Sequence, residues 1–355
     1  MSESNRILVG IDLLQSRQGE LSPPVAEAVK QALWLAAKAS GAVTFFAAVE
    51  VPEEDELYTP LGEHARIVGQ VEAAAQASLD KLVEQATGRG VKATGKVVSG
   101  QGWIELAREA IEGKHDVVVV GTRNLGAVRR ALFGSTAVKL LHNCPGAVWV
   151  TKPQPQPTPR NILVASDFSQ VSDEALRLAL RLGSADGLER SPTNDETGPR
   201  GQAEPAGSLA FPKIHLLHVL ERPYARLWEA GLVEARGEET HHQHDRDAAR
   251  KRLGDQLARV LERAGVSSAT NVELSVADGT PVADEAILRY IDAHQIDLLV
   301  MGTSARHGLA GAFVGNTAER LLTSVPCSLL AVKPADFVCP VRLESYYYAQ
   351  PTAYL

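Results

Sequence analysis

One stretch of this chain is written twice, and the repetition limits what it can fold into. Residues 116–153 read DVVVVGTRNLGAVRRALFGSTAVKLLHNCPGAVWVTKP, and residues 297–334 read DLLVMGTSARHGLAGAFVGNTAERLLTSVPCSLLAVKP. Asp116 to Gly121 and Asp297 to Gly302 are both five residues, and Gly121 to Gly134 and Gly302 to Gly315 are both thirteen. Pro145 and Pro326 each lie twenty-four residues after the first glycine, and Lys152-Pro153 and Lys333-Pro334 each begin seven after the proline. Five coincident anchors mean an internal duplication.

Within each copy an apolar run (Leu298–Met301 in the second) ends at a glycine. A stride of Gly, Ala and small polar residues follows, then an apolar-periodic stretch, a proline and a second apolar run. This reads as buried strand, glycine-rich loop, helix and buried strand. A small-residue loop between a strand's carboxyl end and a helix's amino end leaves backbone N–H groups free to face an anion. Both loops are therefore phosphate-site candidates.

The rest of each copy extends that pattern. An apolar strand at Arg6–Ile11 ends in Asp12, a loop carries Pro23-Pro24, and a helix runs from Val25 to Ala39. Further strands are expected at Val43–Val49 and Val91–Val98, with helices at about His64–Ala86 and Gly102–Glu112. Alternating strands and helices predict an open parallel sheet covered on both faces. PQPQPTP at 153–159 marks a boundary. The domains are then 1–153, a linker at 154–160, 161–334, and a tail at 335–355 carrying Tyr346, Tyr347, Tyr348 and Tyr354. The second copy begins at ILVASD, matching ILVGID, so Asp167 is equivalent to Asp12. Its extra length falls at 186–212, a Gly/Pro/Glu/Ser stretch read as a surface loop.

Size and charge set further bounds. A chain of 355 residues suits two cores of about 150 residues each. A net charge of −7 argues against a nucleic-acid partner, which needs a basic face. No apolar stretch approaches the length of a membrane span, and MSESNRILVGID has no apolar leader, so a cytoplasmic protein with no membrane partner is expected. Cys144, Cys327 and Cys339 form no CxxC and read as idle thiols. HHQH at 241–244 with Asp245 places His241, His244 and Asp245 on one helical face, more simply a solvated helix start than a metal site. His215 and His218 alternate with apolar residues on a strand, and His218 reads as a packed strand histidine. No G-x-S-x-G, H-E-x-x-H or complete P-loop is present, so no catalytic residue is assigned and slow ATP hydrolysis is the most an enzyme reading would allow.

ILVGID, ILVASD, HVLE after the second strand of copy two, and the two glycine motifs together resemble the universal stress protein family in its tandem form. The resemblance implies two doubly wound, Rossmann-like domains packed as a pseudo-dimer through their last strands, Gly146–Thr151 against Ser328–Lys333. It further implies a homodimer, an unidentified protein partner, and an adenine nucleotide (ATP or AMP) held for sensing or regulation. Nucleotide-binding members carry Gly, two residues, Gly, nine residues, Gly, then Ser or Thr. Copy one matches at Gly121, Gly134 and Ser135 with Thr122 following, but has Asn124 at the second glycine. Copy two matches at Gly302 and Gly315 with Thr303 following, but has Ala305, and Asn316 then Thr317. By the same resemblance Asp12 and Asp167 face base or ribose, and Val49 and Val219 pack against adenine. Those residues read equally as loop caps and core. Arg123, Arg129, Arg130 and Arg306 supply phosphate charge or stay solvated. The alternative function is a protein-interaction scaffold with degenerate nucleotide pockets or a different small-molecule ligand.

Overall fold

The computed structural model describes residues 5–13, 20–50, 63–122, 133–156, 158–183, 212–221, 238–264, 271–279, 282–303 and 316–341. Residues 123–132, 186–211, 304–315 and 342–355 lie outside this set, and with them Arg123, Asn124, Arg129, Arg130, Ala305, Arg306, Gly315 and the tail tyrosines.

The first copy runs β1 (Arg6–Gly10), α1 (Pro23–Ala39), β2 (Ala42–Val49), α2 (Glu63–Gly88), β3 (Lys92–Ser99), α3 (Gly102–Glu112), β4 (Val117–Gly121), α4 (Ser135–Asn143) and β5 (Ala147–Thr151). The second runs β6 (Asn161–Ser166), α5 (Gln170–Gly183), β7 (Lys213–Glu221), α6 (Glu238–Ala264), β8 (Val272–Gly279), α7 (Ala283–Ala293), β9 (Leu298–Gly302), α8 (Asn316–Ser324) and β10 (Ser328–Val332). Pro23 and Pro24 are the opening residues of α1, not part of the loop before it. The first helical turn tolerates residues without an N–H, and their fixed φ suits it.

All ten strands share one sheet, ordered β3-β2-β1-β4-β5-β10-β9-β6-β7-β8. Within each copy every pairing is parallel, for example Gly10↔Phe46 and Gly10↔Val120. The copies meet through one antiparallel pair, in which Trp149 faces Leu330 and Val148 faces Ala331. The last strands therefore do join. β4 (VVVVG) and β9 (LLVMG) are uniformly apolar because helices bury both of their faces.

Alternation along the strands divides the core in two. Ile7, Val9 and Trp149 point to one side with α1, α2, α5 and α6, whereas Leu8, Val148 and Val150 point to the other with α3, α4, α7 and α8. Each core runs unbroken across the seam between copies. The opening aspartates of the duplicated motif tie each copy together at one end: Arg6 N–H donates to Asp116 (2.8 Å), and Asn161 N–H donates to Asp297 (2.9 Å).

Candidate functional site

In each copy the strand order reverses between the first and fourth strands, since the chain leaves β1 towards β2 but returns to β4 on the other side. That switch opens a crevice at the carboxyl ends. Asp12 stands exposed two residues beyond β1, on backbone held beside β2 by Ile11 N–H donating to Phe46 O (2.8 Å). Gly121 and Thr122 close β4, with Thr122 N–H donating to Thr151 O (3.2 Å). α4 starts on the same side of the sheet, its cap Gly134 in extended conformation (φ −66°, ψ 161°) without a side-chain cap, and Ser135 is exposed. The N–H groups of that first turn have no intrahelical acceptor. In the second copy Asp167, Gly302, Thr303 and the start of α8 (Asn316, half-buried Thr317) occupy the same stations.

Two sequence expectations change. A Cβ on Gly121 would lie 2.5 Å from the Pro24 carbonyl oxygen, and one on Gly302 would lie 2.8 Å from Val171 Cγ1. Both first glycines therefore serve the close approach of the helix after the first strand, whatever else they do for a ligand. The pairing of Val49 with Val219 is also corrected. Gly10 faces Phe46 and its counterpart Ala165 faces Leu217, so Val219 corresponds to Ala48, and Val49 to Leu220. Ala48 and Val219 pack against the core under α3 and α7; a one-residue slip puts Val49 on the opposite face.

The two crevices differ in how far they are satisfied internally. The Thr303 hydroxyl donates to Val332 O (3.2 Å). The Thr122 hydroxyl, on a residue 3% exposed, has no partner among the described residues. In the second copy Asp167 Oδ1 accepts from Ser169 N–H (3.0 Å) as a loop cap. Phe168 beside it sits at φ +65°, its ring centre 4.0 Å from the Arg252 guanidinium and 4.2 Å from the tilted His218 ring. His218 in turn donates from Nδ1 to Ser166 O (2.8 Å). A bulky residue with positive φ persists only where its surroundings fix it, and here the contacts with Arg252 and His218 do so.

Sequence reasoning missed two polar clusters, both under helices. Ser166 donates to Gln256 Oε1 (2.7 Å), and Gln256 Nε2 donates to Ser172 (3.1 Å) and Asp173 (2.8 Å), all buried. On the other face the Tyr290 hydroxyl bonds Ser275 (2.9 Å) and His215 Nδ1 (3.0 Å), with Glu273 3.7 Å from that nitrogen. Burial lowers the His215 pKa and raises that of Tyr290. In the first copy the matching positions hold Lys96 and Glu109, paired at 2.5 Å, with His115 3.3 Å from Glu109. Two different polar sets filling the same space mark a helix–sheet contact, not a catalytic relay.

Cys144 and Cys327 are free and buried, their thiols pushed up to about 11 and about 12 by burial. His242 approaches Asp278 (3.1 Å), and His244 is exposed; the described residues gather no metal-ligand group, and the His241 side chain lies outside them. A separate cleft of about 1370 Å³ lies over the seam, lined among others by Lys38, Trp149, Arg177, Leu330 and Lys333, and by none of Asp12, Thr122, Asp167 or Thr303.

The sequence signature of the universal stress protein family matches residues 3–152 and again 210–333. The chain belongs to that family. Universal stress protein E of Escherichia coli K12 is 27% identical over 240 residues, covering 67% of each chain. The universal stress protein E homolog of Haemophilus influenzae is 23% identical over 273 residues, covering 77% of this universal stress protein and 78% of its own length. The crystal structure of a universal stress protein from Archaeoglobus fulgidus superposes with a TM-score of 0.58 at 15% identity, covering 93% of this chain and 99% of that one, and so shares the fold. No helix among the described residues is long and apolar enough to cross a membrane.

Proposed function

We propose that this universal stress protein binds an adenine nucleotide in the crevice of its first copy and acts as a stress-response sensor or regulator, not as a catalyst. The observation that carries the reading is the buried Thr122 hydroxyl at the end of β4, without a partner among the described residues, against the internally bonded Thr303. A buried polar group without a partner costs about 1–3 kcal/mol, and a ligand that satisfies it recovers that cost. Around it Asp12 faces ribose or base, Ala48 supplies the apolar wall, and Gly134 and Ser135 at the start of α4 offer backbone N–H groups to phosphate. The second copy, whose Thr303 hydroxyl is already engaged, is the non-binding half on this reading.

The test is mass spectrometry of nucleotide released from natively purified protein, followed by ATP titration of variants. About one nucleotide per chain is expected. Asp12→Ala removes a charged hydrogen-bond partner and should weaken binding about ten- to a hundredfold, while Asp167→Ala leaves it within about twofold. Loss confined to Asp167→Ala would move the site to the second copy. No nucleotide released and none bound at millimolar ATP would leave the scaffold reading in its place.

A further inference from the structure

The lysines that close each repeated motif cross the seam in opposite directions. Lys152, just past β5, donates from Nζ to Val325 O (2.5 Å), at the end of α8 in the other copy. Its counterpart Lys333, just past β10, donates to His142 O (3.3 Å) in the last turn of α4. Carbonyls at a helix C-terminus have no intrahelical donor and carry the negative end of the helix dipole, so a cation there is favourable. Each lysine thus caps the helix whose opposite end faces the other copy's crevice. The helices have nine residues each, so cap and crevice are roughly 13 Å apart.

Lys152 makes a second contact that completes a path. Its ammonium lies over the Phe133 ring (5.1 Å to the centroid), and Phe133 immediately precedes Gly134, the cap of α4. One side chain therefore touches the start of the first copy's α4 and the end of the second copy's α8. The backbone beside it is fixed, because Lys152 N–H donates to Ser328 Oγ (3.0 Å) and Thr151 O accepts from Thr122. Lys333 is buried and Lys152 half-buried, and burial lowers both pKa values, Lys333 to about 8.

We propose that Lys152 is a strut coupling the two halves, so that displacement of the α4 start is transmitted through Phe133 and the Lys152 ammonium to the end of α8. Its ligand-facing consequence rests on the nucleotide reading given above; its mechanical part does not. Amide hydrogen exchange, run first without nucleotide, separates the two. Lys152→Met keeps the apolar stem and removes the cap, so the last turn of α8 should exchange about fivefold faster while α7 is unchanged. Lys333→Met should instead loosen the last turn of α4. Phe133→Leu should speed exchange at α8 in the wild type and add nothing in Lys152→Met, because the path is already cut.

Unchanged α8 exchange in Lys152→Met, or additive effects of the two substitutions there, overturns the strut. If Lys152→Met does not fold, Phe133→Leu carries the test alone, and no change at α8 is then decisive. Millimolar ATP is added last, and it should alter α8 protection in the wild type but not in Lys152→Met. ATP without effect anywhere, including α4, rejects the nucleotide reading while the nucleotide-free result stands.

Discussion

Gly121 shows how much a single position in the duplicated motif carries. The atom nearest to an added methyl is a backbone oxygen, Pro24 O at 2.5 Å, which cannot rotate aside. At Gly302 the nearest atom is Val171 Cγ1 at 2.8 Å, on a side chain that can shift. Gly121→Ala is therefore expected to cost about 2–3 kcal/mol in urea denaturation and Gly302→Ala about 1 kcal/mol. Equal losses would contradict this account of the two contacts. A consequence follows for ligand work: a bulky substitution at either glycine disturbs helix packing before it touches a pocket, so Asp12 and Asp167 are the cleaner probes. The anchors were legible in the sequence as spacings, but their duties were not. Asp116 and Asp297 hold strand ends, Gly121 and Gly302 admit a helix, and Lys152 and Lys333 cross the seam, yet all six recur with equal regularity.

Among elements, α2 and α6 fill the same station with different chemistry. The buried rows Ala75, Leu79, Leu82, Ala86 and Ala249, Leu253, Gln256, Val260 share one spacing, which sets Gln256 where the first copy has Leu82. Opposite it, Ser166 stands where the first copy has Ile11. Gln256→Leu removes the acceptor at 2.7 Å from the Ser166 hydroxyl, which keeps Phe168 N–H (3.1 Å) and a longer contact to Ser172 (3.4 Å), together with one bond of Asp173, and should cost about 1–3 kcal/mol. Ser166→Ala breaks the same Ser166–Gln256 bond, so the two single variants each count its loss and the double variant should be more stable than additivity allows, by about 0.5 kcal/mol or more. Strict additivity would show that the two side chains are not coupled. Apolar runs and their separators revealed the central strands β4, β5, β9 and β10, because burial on both faces leaves an unmistakable pattern. Register was harder: AAVE and HVLE both end in Glu with valine one or two places earlier, and only the pairing with the first strand shows that Ala48, not Val49, matches Val219. Phe168 at positive φ was illegible as well, since its conformation is imposed by Arg252 and His218 from distant elements.

At the scale of the whole molecule, one ten-stranded sheet with two cores running through its seam ties both copies to the same buried titratable groups. Their signs predict the shape of the pH–stability curve. Burial lowers the pKa values of His115, His142 and His215 below 6.5, so in acid the unfolded chain takes up protons first and stability falls as pH drops through about 6.5. Lys333, buried at the seam, falls from 10.5 to about 8. Above pH 8 the folded chain releases this proton while the unfolded chain keeps it, so stability rises with pH, by on the order of 3 kcal/mol over the full window. Lys152 and Lys38 act in the same direction. Cys144 and Cys327 oppose them: their thiols stay protonated to about 11 and about 12 in the fold but ionise near 9 when unfolded, which removes stability above that pH. Urea midpoints measured at intervals from pH 5 to 10.5 should therefore rise through pH 6.5, climb again beyond 8 and turn over above 9. Lys333→Met should flatten the climb between 8 and 9, whereas Cys144→Ala should soften the fall beyond it. A Lys333→Met curve running parallel to the wild type across that interval would mean that the seam amine stays hydrated and charged, and the buried-lysine account of the seam would have to be given up.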